Sequence, residues 1–76
     1  HGVVVIDVTP GGPADKAGLR RGDVILEVNR RSVGDPAALA RDLAAVPPGQ
    51  SVLVYIHRPG GSGGRNEYVV LGPTRP

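Results

Sequence analysis

Thr9-Pro-Gly-Gly-Pro-Ala-Asp-Lys-Ala-Gly-Leu-Arg-Arg-Gly-Asp-Val-Ile-Leu-Glu-Val-Asn29 decides the fold. Thr9-Pro10-Gly11-Gly12 ends whatever precedes it, because proline removes a backbone donor and the glycines allow a tight reversal. Pro13 to Gly18 then reads as a very short helix. Pro13 suits the first helical position, where a missing N–H costs nothing, and Gly18 suits the position just past the end, where φ turns positive. Leu19 is expected to fold back onto the core as the apolar partner of that cap. Arg20 to Asp23 forms a turn, and Asp23-Val-Ile-Leu-Glu-Val28 is a strand. Asp23 reads as a turn cap, or as a backbone hydrogen-bonding group at the start of that strand. Asn29-Arg30 falls where a two-residue hairpin turn is expected. Such turns favour Asn-Gly, so Arg30 carries a strained positive φ.

Outward from this stretch, Gly2-Val-Val-Val-Ile-Asp-Val8 is continuous and β-branched, which predicts a strand buried on most of both faces. On the other side, Ser32-Val33 is a short extended piece. Asp35 is an N-cap and Pro36 the first residue of the one long helix, Pro36 to Val46. Pro36, Leu39, Leu43 and Val46 recur at three and four residues and form one stripe toward the core. Pro47-Pro48-Gly49-Gln50 stops the helix. Ser51 to Arg58 is a long strand, Pro59 to Asn66 a glycine-rich hairpin loop, Glu67 to Leu71 the last strand, and Gly72 to Pro76 a tail. The strands and two helices make an α+β domain over a partly antiparallel sheet.

With 76 residues the chain holds one domain. Its hydrophobic residues are mainly 12 Val, 6 Leu and 3 Ile, with no Phe, Trp, Met or Cys, so the core must be small and aliphatic. No disulfide or cysteine-based zinc site is available. No apolar run is long enough to cross a membrane, and no charged segment leads into an apolar one, so neither membrane insertion nor a signal peptide is read here. The net charge is +2, and eight arginines interleave with seven acidic residues. There is no basic stripe with stacking aromatics, which argues against nucleic-acid binding.

Reactive groups are few. His57 sits late in a strand and reads as an exposed or half-buried strand position. No local motif gives it both a nucleophile and an orienting carboxylate, and Ser32, Ser51 and Ser62 are the only serines. No metal-ligand spacing occurs. Gly11-Gly12 lacks the lysine and hydroxyl of a phosphate loop and reads as a turn. No catalytic residue, metal or cofactor is expected.

The segment Thr9 to Asn29 closely resembles the central part of PDZ domains: small-Pro-Ala, then Ala-Gly-Leu, a Gly-Asp turn, an Ile-Leu strand and an Asn turn. Ala37 to Leu43 is similar to the family's long helix, and Pro48 to Val52 with the strands after it to its end. The resemblance runs from Gly2 to Leu71. It is strongest to the bacterial, permuted form, in which the family's first strand comes last, and within it to PDZ domains of HtrA-type (Do-like) trypsin-like serine proteases. Site-2-type metalloproteases and C-terminal processing proteases carry similar domains.

The resemblance implies a PDZ-like, partly open antiparallel barrel or sandwich with one short and one long helix. It implies a non-catalytic module that binds peptides or protein C-termini ending in apolar residues, by adding the peptide as a strand to a sheet edge. Carried over by position, the peptide-binding residues are Pro36, Ala40, Leu43 and Ala44, which share one helix face. Leu43 fits the core stripe equally. Small Ala40 and Ala44 imply room for a large apolar side chain. The family's carboxylate loop and groove strand would fall just before Gly2, and no Gly-Leu-Gly-Phe-like segment lies elsewhere in the chain. Residues 1–76 thus read as a single domain, core 2–71 and tail 72–76, excised from a larger protein without the usual carboxylate-loop strand. An uncovered apolar sheet edge then invites pairing with another chain, so a homo-oligomer through that edge, strand swapping or marginal stability is expected. The alternative is a PDZ-fold interaction domain with an unused groove, acting in self-association or docking. By family analogy the location is the periplasm or cell envelope.

Overall fold

The computed structural model describes residues 2–47 and 49–72. Along the chain run β1 (Val3–Val4), α1 (Pro13–Ala17), β2 (Val24–Val28), β3 (Arg31–Ser32), α2 (Pro36–Ala44), β4 (Val52–Arg58) and β5 (Arg65–Leu71). All pairings are antiparallel, in the order β1-β2-β4-β5, and β3 pairs with β2. This is the α+β arrangement the sequence implies.

β4 is central because it alternates. Val52, Val54 and Ile56 point into the core, and the residues between them face outward. Around them pack Val3, Leu19, Ile25, Val28, Val33 and Val69. Every buried apolar side chain is thus a Val, Leu or Ile, as a chain without Phe, Trp or Met requires.

The local chemistry around α1 holds as read. Gly18 has φ 93°, its N–H donates to the Asp15 carbonyl, and the Leu19 N–H donates to the Ala14 carbonyl. This is a Schellman cap, and its apolar partner Leu19 is buried. Asp35 caps α2 by accepting the Ala38 N–H at 2.8 Å. Asn29 and Arg30 both have positive φ, 50° and 68°, as a type I′ turn requires. Asn29 Oδ1 also accepts the Leu53 N–H at 2.9 Å, tying the turn to β4. Glycine at position 30 removes a side-chain clash at the cost of a looser unfolded chain. Arg30→Gly is therefore expected to stabilise the domain by about 0.5–1 kcal/mol, read from the urea midpoint.

Three boundaries differ from the sequence reading. The segment Gly2–Val8 is not a strand buried on both faces. Only Val3–Val4 is strand, Val3 is buried, and Ile6 is 76% exposed. β1 is the first strand in the order β1-β2-β4-β5, and along this run only Val3 and Val5 pack in or against the core among the described residues. α2 ends at Ala44, with Ala45 and Val46 in a closing turn. Of the expected core stripe, Leu39 and Val46 pack partly against the core, while Pro36 and Leu43 are exposed. β5 begins at Arg65, because Arg58 and Arg65 pair across a hairpin shorter than the glycine content implies.

Candidate functional site

α2 buries none of its residues fully, and it meets the sheet mainly through Leu39 and Val46. Its C-terminal half therefore stands over a space. That space is an apolar cavity of about 290 Å³. Leu43 and Val46 line it from the side of α2, and Pro13 and Ala14 from α1. Val52, Leu71 and Gly72 form its floor, where the start of β4 pairs with the end of β5. It contains no charged lining residue, a lining on which burying a charge would be costly.

A buried ion pair lies beside the C-terminal end of α1. Asp23 is 2% exposed. Its carboxylate accepts from Arg58 Nε at 3.1 Å, from Arg58 Nη2 at 2.9 Å and from the Arg20 N–H at 2.9 Å. Arg58 Nη2 also donates to the Gly18 carbonyl at 2.8 Å, and Nη1 to Glu67 Oε2 at 2.9 Å. One guanidinium thus joins the C-cap of α1 to the start of β2, the end of β4 and β5. The Arg58 hydrogen bonds hold the Asp23 carboxyl below its usual pKa, against the opposing effect of burial, and the Arg20 N–H adds to the lowering. The sequence reading of Asp23 as a backbone hydrogen-bonding group at the strand start holds, but it missed Arg58, which lies 35 residues away.

Of the four residues carried over by position, Leu43 reaches the cavity. Pro36, Ala40 and Ala44 lie exposed along α2. Pro13, Ala14, Val46, Val52, Leu71 and Gly72 were not singled out. Pro13-Ala14 belongs to the small-Pro-Ala motif and was legible there. Val52 and Leu71 come together only through the β4–β5 register. His57 is half-buried, and its Nδ1 lies 2.6 Å from Asn66 Oδ1, a partner with no catalytic consequence.

The fold is a five-stranded antiparallel sheet with two helices, and the cavity between α1, α2 and the β4–β5 pair is lined by apolar residues. The PDZ domain family model matches residues 4–58, and the chain belongs to that family. It is similar to the magnetosome formation protease MamE of Magnetospirillum gryphiswaldense, 43% identical over 85 residues that take in all of this chain and 11% of that protein. It is also similar to a probable periplasmic serine endoprotease, DegP-like, of Rhizobium meliloti, 40% identical over 82% of this chain and 12% of that one. The chain thus spans only a small part of these relatives. Among solved structures, it resembles the HtrA3 PDZ domain bound to a phage-derived ligand (FGRWV), with TM-score 0.79 and 26% identity over 95% of this chain and 59% of that one. It also resembles the HtrA-type protease AlgW with a decapeptide, with TM-score 0.80 and 30% identity over 96% of this chain and 21% of that one.

Proposed function

We propose that this chain is the substrate-binding or regulatory PDZ module of an HtrA-type envelope serine protease. It takes extended segments ending in an apolar residue by β-augmentation and contributes no catalytic group. The observation that carries this reading is the apolar cavity beside α2, with Leu43 on its wall. Pro36, Ala40 and Ala44 lie on exposed positions of the same helix, where they would flank the peptide. The two structural neighbours support it. Both hold peptides, and one of those peptides ends in valine. The relatives named as periplasmic endoproteases support an envelope location.

The test is a titration of the isotopically labelled chain with a pentapeptide ending in valine, with the same peptide ending in aspartate as control. Shifts at Leu43, Ala40 and Val3 to Val5 are expected with the valine peptide only. Leu43→Asp places a charge on an apolar wall and is expected to weaken binding about tenfold or more, because that charge must be desolvated when the pocket fills. Equal response to the two peptides would overturn the reading. A second reading, self-association through β1, draws on Val4 and Ile6, which are 55% and 76% exposed at that edge. Sedimentation at high concentration separates the two.

A further inference from the structure

A second hollow shares no lining residue with the α2 cavity, and its chemistry differs. The pairing of β2 with β4 slips between Ile25 and Glu27, so Leu26 is an extra residue in a bulge. Such a bulge re-aims side chains. Here it sets Leu26 and Glu27 together beside Tyr55, the Cα partner of Glu27 on β4. With Ser32, Val33 and Gly34 from the β3 side they line a hollow of about 420 Å³. Glu27 is the one charged residue of that lining. It is half-buried, and no ion pair joins it to a cation among the described residues.

The Tyr55 wall is braced by two contacts. Its ring packs against Tyr68 with centroids 4.6 Å apart, and its hydroxyl accepts from Asn66 Nδ2 at 3.2 Å. A braced aromatic ring, a carboxylate with no ion-pair partner among the described residues, and aliphatic neighbours form a complementary set. They match a side chain with an apolar stem and a cationic head, whose stem lies on Leu26 while the head meets Glu27 and the ring.

We propose that this hollow is a docking site for an arginine or lysine side chain of a partner polypeptide. The site lies apart from the α2 cavity and does not depend on a free C-terminus. The probe is acetyl-Val-Arg-Val-amide, whose blocked end cannot supply a terminal carboxylate. A failure here is therefore distinct from a failure of the α2 reading. With the labelled 76-residue chain, shifts are expected at Leu26, Glu27, Ser32 and Tyr55 and not along α2. Replacing arginine by neutral citrulline in the probe, or Glu27→Gln in the chain, is expected to weaken binding about fivefold each, the weight of one exposed charge pair with an aromatic contact. Binding that is indifferent to citrulline and to E27Q would overturn the proposal, as would shifts confined to α2 or none at millimolar probe. Glu27-dependent self-association without probe binding would assign the hollow to a second copy and would equally overturn it.

Discussion

Replacing Asp23 by alanine is expected to destabilise the domain by about 3–5 kcal/mol, the usual cost of breaking a buried ion pair from one side. Alanine leaves the Arg58 guanidinium without its two carboxylate contacts and the Arg20 N–H without an acceptor. Glu67 and the Gly18 carbonyl remain, but both are more exposed partners. A chain of this length has about 4–11 kcal/mol in total at typical per-residue stability, so the variant sits close to unfolding at ambient temperature. Urea unfolding followed by circular dichroism measures the loss. A cost below about 1 kcal/mol would show that solvent screens the pair as it screens a surface one.

The same pair sets a dependence on acid. Asp23 titrates below its unfolded value because Arg58 hydrogen-bonds to its carboxylate. Its contribution is therefore complete above about pH 4, the unfolded value, and is lost as pH falls through the lower folded one. The stability gap between the parent chain and Asp23→Asn is expected to narrow below about pH 4. A gap constant from neutral pH down to about pH 2 would mean that the carboxylate charge is not what stabilises. The functional consequence runs through α1. Asp23 orients the Arg58 guanidinium whose Nη2 donates to the Gly18 carbonyl, so its loss leaves that tie between β4 and the C-cap of α1 held by Arg58 and Glu67 alone.

Replacing Ile56 by alanine is expected to cost about 4 kcal/mol, within the range for emptying a well-packed aliphatic site. Ile56 is 0% exposed on the central strand, opposite Ile25 of β2 and Glu67 of β5. The core has no aromatic or methionine side chain to swing into the void, and β-branched neighbours are stiff. Collapse around the deletion is therefore poor. Val70→Ala on the outward face of β5 removes a side chain that is 56% exposed and is expected to change stability by no more than about 0.5 kcal/mol. Thermal unfolding of the two variants side by side gives the comparison, and similar costs would show that the outer face is covered in solution.

Much of the fold was legible because its punctuation is local. Pro13, Gly18 and Leu19 write a helix with its cap, Asp35-Pro36 writes another start, and Asn29-Arg30 writes a turn. Each depends on backbone rules that act within a few residues. The aliphatic core was legible from what the chain lacks. The length of β1 was not, because a β-branched run predicts extended backbone, while burial on a second face needs a neighbouring layer. Leu43 remained open between core and groove for a related reason. Helical spacing places it on a face but does not say how closely that face approaches the sheet.

By itself, then, the sequence determined the element types, the capping chemistry, the absence of thiol chemistry and the PDZ likeness, since all of these reside in short windows of residues. Only the tertiary structure decided which distant groups meet. Arg58 reaches Asp23, Glu67 and Gly18 because β4 lies between β2 and β5. Val52 and Leu71 share the cavity floor because the two strands pair in that register. The bulge at Leu26 turns Glu27 toward Tyr55. Such contacts follow from sheet order and register, which cooperative packing of the whole core selects and no single stretch of chain encodes.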